Sequence, residues 1–311
     1  MMVKSNIALI LKGAAMGAAN VIPGVSGGTI ALITGIFERL INAVKSINLM
    51  AARLLIGGRL KDFARHTDLV FLVMVFAGIL LAIVTLARLF DYLFTHYPVY
   101  IWAYFFGLVL ASIYFVGKSV SKWTISVILT FIAGTAVAVI VSVLNPAAEN
   151  DGFLYLMLCG AVAICSMILP GLSGSFVLIL MGNYRLVAIE AINNRDFDIL
   201  LPVIVGAAAG LVVFSHLLSW IFKKYRDETI SLLTGFIMGS LSILWPWQRM
   251  NYLRDESGDI ILKNGEPVVE SYVRYFPESF STEAMLAMVF ALTGILSIWF
   301  IEKTAEQKSK D

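Results

Sequence analysis

The chain has 311 residues, of which 59% are apolar and only 14% are charged, and its formal net charge is +2. Soluble domains carry about 25% charged residues, so this composition excludes a soluble globular protein. The apolar residues run continuously and do not alternate, which also disfavours a transmembrane β-barrel. The composition therefore predicts a helical membrane protein with several spans.

Eight apolar segments are long enough to be membrane elements. In chain order they are 5–37, 69–90, 98–117, 123–145, 153–185, 199–222, 229–248 and 284–301. The first and the fifth are about 30 residues long, which is more than one span needs at 1.5 Å per residue. Each of these two also contains a Pro-Gly pair near its middle, so we predict that each is a broken helix.

The same phrase interrupts both long segments. Residues 20–28 read N-V-I-P-G-V-S-G-G, and residues 167–175 read M-I-L-P-G-L-S-G-S. A second ungapped register pairs residues further along, namely Phe94, Tyr97, Gly107 and Ser112 with Phe222, Tyr225, Gly235 and Ser240. Two ordered blocks of matches predict an internal duplication, with halves at 1–147 and 148–311.

The Lys/Arg distribution predicts which side of the membrane each connector occupies. The connector 38–66 is the most basic, with Arg39, Lys45, Arg53, Arg59, Lys61 and Arg65. It stays in the cytoplasm only if segment 5–37 enters and leaves the membrane on the same side. With a second re-entrant segment at 153–185, each half keeps three full spans, so the halves have opposite orientations.

We therefore predict an all-α polytopic membrane protein made of two inverted repeats, each with one re-entrant broken hairpin and three transmembrane helices. In this topology the N- and C-termini are both cytoplasmic.

The two breaks have the chemistry of an anion site. Proline stops the incoming helix, and glycine permits the turn that follows it. The next helix then presents unpaired N–H groups and the positive end of its dipole. Candidate phosphate ligands by this reasoning are Lys12, Gly24, Ser26, Thr29, Gly171, Ser173 and Ser175. The alternative interpretation is a tight hairpin tip at which serine only caps the second helix.

Other polar residues in or near the apolar segments are secondary candidates: Glu38, Arg88, Asn183, Tyr184, Arg185 and His216. Asn183 and Tyr184 are expected at headgroup depth. Arg88 aligns with His216 in the second register, and we interpret the histidine as a packing residue. Three Gly-x-x-x-Gly pairs predict close helix packing; they are 13–17, 206–210 and 235–239.

The apolar segments lack the groups that catalysis requires. We find no nucleophile with a base, no metal cluster and no paired carboxylates at membrane depth. There is no P-loop, which argues against ATP-driven pumping by this chain. The sequence therefore predicts a carrier, without a cofactor, a metal site or a nucleic-acid partner, and it does not indicate an oligomeric state.

Three stretches resemble the signatures of the polyprenyl-phosphate transporter family. They are L-K-G-A-A-M-G-A-A-N-V-I-P-G-V-S-G-G-T (11–29), A-V-A-I-C-S-M-I-L-P-G-L-S-G-S-F-V-L-I-L-M-G-N-Y (161–184) and L-W-P-W-Q (244–248). The resemblance implies a bacterial inner-membrane protein that returns undecaprenyl phosphate from the outer to the inner leaflet. Its expected partners are this lipid and the surrounding membrane lipids. The resemblance also implies phosphate contacts from Lys12, Asn20, Ser26, Gly27, Gly28, Thr29, Ser173, Gly174 and Ser175.

Two other functions stay open. Undecaprenyl-pyrophosphate phosphatases share re-entrant helices and a Pro-Gly-x-Ser phrase, but their signature continues with arginine where this chain has Gly27 and Gly174. They also carry a paired-glutamate motif, and no glutamate precedes Pro23 here. A small-anion channel or carrier built on broken helices is the other alternative. A lateral opening to the bilayer would distinguish a lipid carrier from an ion pore.

Overall fold

The computed structural model describes residues 2–21, 26–144, 146–252, 262–263, 266–267, 269–277 and 281–310. Its first helices are α1 (Met2–Val21), α2 (Gly27–Ile33), α3 (Phe37–Lys45), α4 (Leu49–Ile56), α5 (Leu60–His66), α6 (Leu69–His96), α7 (Pro98–Gly117) and α8 (Ile125–Val143). The later helices are α9 (Phe153–Ile168), α10 (Gly174–Leu180), a π-helix (Leu186–Glu190), α11 (Ala191–Asn194), α12 (Phe197–Lys224), α13 (Arg226–Ser240) and α14 (Thr282–Lys310).

Within the described ranges, five helices are long and apolar enough to cross a membrane: α6, α7, α8, α12 and α14. They coincide with the predicted spans 69–90, 98–117, 123–145, 199–222 and 284–301. A sixth would be counted if α2 and α3 formed one span, but these two helices are bent by 117° relative to each other. The prediction of a mostly helical membrane protein is therefore confirmed.

The predicted span 229–248 is wrong at its C-terminal end. The helix here, α13, ends at Ser240, and 241–244 form turns. At 1.5 Å per residue this 15-residue helix is about 22 Å long, shorter than the hydrocarbon core. Most of its side chains are buried against other helices, so serine, threonine and glycine replace the long apolar residues that lipid contact would favour.

The helices pack in four close pairs: α1 with α6, α9 with α12, α8 with α13 and α7 with α14. Glycines make this approach possible, because a methyl group on them would overlap the backbone of the neighbouring helix. Gly13 and Gly17 lie against α6, Gly206 and Gly210 against α9, and Gly235 and Gly239 against α8. The prediction that the three Gly-x-x-x-Gly pairs are packing surfaces is confirmed.

The two broken segments repeat the same local backbone. Ser26 precedes α2 with φ −108° and ψ 136°, and Ser173 precedes α10 with φ −109° and ψ 132°. Both short helices end at a glycine with positive φ, Gly35 at +69° and Gly182 at +73°. Equivalent positions in the two halves therefore adopt equivalent conformations, whereas the boundaries at 147 and 148 and the inversion stay predictions.

Two connectors are more ordered than the sequence analysis anticipated. The basic connector 38–66 contains α4, α5 and most of α3. The connector 249–281 contains strands, and in the described part of the chain these form two antiparallel pairs. They are β1 (Gln248–Tyr252) with β4 (Val269–Arg274), and β2 (Leu262–Lys263) with β3 (Glu266–Pro267).

Candidate functional site

The first tip, residues 20–29, joins α1 to α2. Pro23 and Gly24 lie outside the described residues. Ser26 caps α2, since its Oγ accepts a hydrogen bond from the Gly28 amide at 3.1 Å. The Gly27 amide donates to Asn20 Oδ1 at 2.8 Å, and the amide of Thr29 donates to the Ser26 carbonyl at 3.0 Å. The first three amides of α2 are therefore paired within the chain, which is the capping arrangement that the sequence analysis left open.

The second tip, residues 167–175, joins α9 to α10 and is fully described. Ser173 precedes α10 but makes no capping hydrogen bond with its side chain. Its Oγ lies 2.8 Å from Ser175 Oγ, and Ser175 is exposed. Gly171 has φ +81°, and a methyl group on it would lie 2.6 Å from the Phe236 carbonyl oxygen. The second tip therefore requires glycine at its turn and leaves two serine hydroxyls accessible at the start of α10.

The two tips are in direct contact. Thr29 Oγ1 accepts a hydrogen bond from the Gly171 amide at 3.1 Å, and Ser26 Oγ donates to the Leu169 carbonyl at 3.1 Å. Gly28 packs against the Ile168 carbonyl, where a methyl group would overlap it. Ser26 and Thr29 are only 2% and 1% exposed. Ser26 and Thr29 therefore hold the tips together, and their hydroxyls are buried between them.

Lys12 lies at the opposite end of α2 from Ser26. Its Nζ donates to the Thr34 carbonyl at 2.5 Å, and Thr34 caps the C-terminus of α2. Since α2 has seven residues, this point is about 10 Å from the amide end. The ammonium stabilises the negative end of the α2 dipole. In this conformation one phosphate group cannot contact both Lys12 and the amides at the start of α2.

Asn183 and Arg185 have partners that explain them structurally. Asn183 is fully buried: its Nδ2 donates to the Asn150 carbonyl at 2.7 Å, and its Oδ1 accepts from the Asn150 amide at 3.0 Å. The expectation that Asn183 contacts lipid headgroups is therefore wrong, because its side chain is buried and its amide holds a loop, whereas its depth in the membrane stays a prediction. Arg185 pairs with Glu190 at 2.8 Å. Tyr184 is half-buried.

Of the remaining secondary candidates, Glu38 and His216 make their described contacts away from the tips. Glu38 Oε1 is 3.5 Å from Arg226 Nε, at the corner between α12 and α13. His216 is exposed in the single chain, and its Nδ1 lies 2.8 Å from the Val212 carbonyl of its own helix, so one ring nitrogen has a partner and the packing role stays a prediction. Arg88 belongs to α6, and its side chain lies outside the described residues.

The same corner has one perturbed carboxyl group. Asp227 accepts hydrogen bonds from the backbone amides of Ser121 at 3.1 Å and Lys122 at 3.2 Å, and from Ser121 Oγ at 3.2 Å. The Ser121 amide is the main reason that the pKa of Asp227 is lowered, and burial opposes it. Asp227 lies in the first turn of α13, where its negative charge also interacts favourably with the positive end of the helix dipole. Asp227 therefore fastens α13 to the turn between α7 and α8.

Sequence analysis missed one polar cluster between the halves. Ser219 of α12 donates to Asn42 Oδ1 of α3 at 3.0 Å, and Lys45 Nζ lies 3.4 Å from Ser219 Oγ. Ser219 is buried. A serine near the end of an otherwise apolar helix was the available signal, but only the tertiary packing of α3 on α12 identifies its partners.

Comparison with known proteins identifies a family and two relatives. A family model described as undecaprenyl phosphate translocase-like matches residues 16–261. A polyprenyl-phosphate transporter from Vibrio cholerae serotype O1 is 38% identical over 301 residues, with 96% of each chain covered. A polyprenyl-phosphate transporter from Staphylococcus aureus is 29% identical over 256 residues, with 76% of this chain and 85% of that protein covered. No solved structure matches the chain.

Proposed function

Since this chain belongs to the undecaprenyl phosphate translocase-like family, we propose that it carries a polyprenyl phosphate such as undecaprenyl phosphate across the bacterial cytoplasmic membrane. The observation that carries the proposal is the contact between two broken hairpins, with accessible hydroxyls at the second tip. In this proposal the phosphate binds at the tips, and the prenyl chain stays in the bilayer. Net transport runs from the outer to the inner leaflet.

The two tips have different roles in the proposed site. Ser173, Gly174 and Ser175 bind the phosphate at the start of α10, where the side chain of Ser173 does not cap the helix. Asn20 is exposed beside the first tip and adds an amide group. The buried Thr29 supplies no ligand and fixes the distance between the tips. Anion binding by short hydroxyl side chains at a helix start follows from the dipole and from the N–H groups there.

The helix lengths support two re-entrant hairpins. α2 and α10 each have seven residues and are about 10 Å long, far less than the hydrocarbon core. Broken backbone at membrane depth is tolerated where it is buried in protein, and Ser26 and Thr29 of the first tip are buried against the second. Two hairpins from opposite faces would give the inverted repeat, with each tip near the midplane.

The basic connector supports a cytoplasmic position for residues 38–66. α4 exposes Leu49 at 80% and Ile56 at 88%, and Arg53 is exposed on the same short helix. Eight residues are too few to span a membrane. A helix with exposed apolar and basic side chains fits the interface of an anionic leaflet. This position keeps the most basic connector inside, as the positive-inside rule requires.

The surroundings of two glycines argue against a phosphatase. A methyl group on Gly27 would lie 2.8 Å from Asn20 Oδ1, and one on Gly174 would lie 2.6 Å from Met167 Cγ. The Asn20 side chain can move, whereas a methyl group on Gly174 would also lie 2.7 Å from the Ala163 backbone carbonyl oxygen, so the arginine that follows the Pro-Gly-x-Ser phrase in the phosphatases would require a backbone shift at position 174. A carrier needs no such arginine, because it binds the phosphate without breaking a bond to it.

Transport of a fluorescent polyprenyl phosphate in proteoliposomes tests this proposal. The Ser173→Ala/Ser175→Ala double variant should move the lipid at least about tenfold more slowly, since hydrogen bonds to a charged group contribute about 1.5–3 kcal/mol each. The matched control is Ser142→Ala/Ser242→Ala, which removes another pair of serine hydroxyls, 3.2 Å apart, between α8 and the turn after α13.

The control variant should transport as fast as the wild type. Equal rates for both double variants would refute the location of the site. A wild-type protein that does not move the lipid at all would refute the function itself.

A further inference from the structure

A polar cavity lies away from the tips, at the corner where α3 of the first half meets α12 and α13 of the second half. Its volume is about 240 Å³. Residues from both halves line it: Glu38, Ile41, Asn42, Ser219, Phe222, Lys223 and Arg226. The cavity therefore depends on the packing of the two halves against each other.

Positive charge predominates around this corner cavity. Lys223 and Arg226 line it, and Lys45 reaches Ser219 at its wall. Glu38 is the one carboxylate among the lining residues, and it lies 3.5 Å from Arg226. Both members of this ion pair are about half exposed, so their attraction is weak and a competing anion can replace the glutamate.

The cavity also offers oriented hydrogen-bond donors and an apolar wall. Ser219 donates to Asn42 Oδ1 and thereby fixes the orientation of the amide, whose nitrogen then carries two N–H donors. Asn42 is exposed, so these donors are accessible. Ile41 and the buried Phe222, whose ring packs 5.7 Å from that of Phe37, form the apolar side.

We propose that the corner cavity binds a phosphate monoester, with Arg226 and Lys223 holding the phosphate and Asn42 donating to it. The planar guanidinium matches two phosphate oxygens, and the lysine adds a point charge. The first carbons of an attached chain would contact Ile41. The same groups would bind the phosphate of a lipid headgroup or free phosphate. In the absence of either, Glu38 pairs with Arg226.

The test uses the full-length protein in detergent micelles at an ionic strength of about 0.15 M, where charges more than about 8 Å apart are largely screened, titrated with inorganic phosphate or with a ten-carbon prenyl monophosphate. Each variant is made in the Ser173→Ala/Ser175→Ala background, so that the tips contribute little binding. Arg226→Gln should weaken binding about fivefold, as expected for one partly exposed charge. Lys224→Gln removes the same charge two residues away, where Lys224 lies over the Trp220 ring and does not line the cavity, and should change affinity by less than about twofold.

Glu38→Gln should change the affinity for phosphate in the opposite direction to Arg226→Gln. Removing the competing carboxylate should tighten binding about two- to fivefold, which a damaged fold would not do. The proposal is overturned if Arg226→Gln and Lys224→Gln have equal effects, if Glu38→Gln weakens binding, or if neither probe binds. Equal affinity for both probes identifies free phosphate as a ligand, and a preference for the prenyl monophosphate identifies a lipid headgroup.

The experiments can refute the corner-cavity proposal and the tip-site proposal independently. If Ser173→Ala/Ser175→Ala transports normally but Arg226→Gln still loses affinity, the tip site is wrong and the corner cavity stands. If the binding data show no role for Arg226 while the tip variant loses transport, the corner cavity is wrong and the proposed function stands.

Discussion

Replacing Thr29 with valine tests the contact between the two tips. Valine keeps the shape of the side chain but removes the acceptor of the Gly171 amide, 3.1 Å away at a buried position. An amide left without a partner in a buried site costs about 1–3 kcal/mol. Thr29→Val should therefore lower the free energy of unfolding by that amount, and Thr29→Ser, which keeps the hydroxyl, should restore most of it.

Thr234→Val is the matched control. Thr234 is also 1% exposed, but its hydroxyl donates to the Ile230 carbonyl within its own helix, and that carbonyl keeps its backbone hydrogen bond after the substitution. We expect a loss of no more than about 1 kcal/mol. The measurement is unfolding of the purified protein in mixed micelles with increasing SDS. If Thr29→Val and Thr234→Val are equally stable, or if serine does not restore stability, the hydrogen bond between the tips does not contribute as described.

Two further predictions concern packing and pH. Gly28→Ala should lower the free energy of unfolding by about 1–3 kcal/mol, because its methyl group would overlap the Ile168 carbonyl. Gly117→Ala is the control, since its methyl group would lie 3.7 Å from the nearest side chain, and it should be neutral or stabilising. Similar melting temperatures for the two variants would contradict the close contact. The lowered pKa of Asp227 means that its hydrogen bonds from Ser121 stabilise the fold fully above the ordinary aspartate pKa of about 3.9 and are lost as the pH falls through the lowered value. The melting temperature of the wild type should therefore exceed that of Asp227→Asn at neutral pH and approach it below about pH 4, and a difference that is independent of pH would be evidence against this role.

The two copies of the Pro-Gly-x-Ser-Gly phrase are alike in sequence but not in use. After the shared Ser-Gly pair, the first copy continues with Gly28 and Thr29, and the second with Ser175 and Phe176. Glycine at 28 lets the first tip approach Ile168, and threonine at 29 binds the second tip. Serine at 175 remains exposed instead. Two residue differences therefore distinguish a first tip whose Thr29 hydroxyl is buried in the contact from a second tip whose Ser175 is exposed.

Much of the architecture followed from one-dimensional patterns. Continuous apolar runs predicted six full spans, since the hydrocarbon thickness fixes the number of residues that each requires, and five of them coincide with helices long and apolar enough to cross a membrane. Spaced glycines predicted close helix packing but not which helices pair, because the absence of a Cβ is itself the requirement for close approach. The same hydropathy criterion gave a wrong prediction for the span 229–248, whose helix ends at Ser240. Most residues of this helix are buried against other helices, so its apolar side chains contact protein and not lipid.

The sequence by itself determined where both long helices break, because proline and glycine act on the backbone locally, whatever surrounds them. Only the tertiary structure decided which polar groups at those breaks are accessible. Asn20 and Ser26 pair with amides that the sequence analysis assigned to phosphate, Thr29 joins the tips, and Lys12 caps the far end of α2. Hydrogen bonds between residues about 140 positions apart depend on how the helices pack, and no local pattern encodes them.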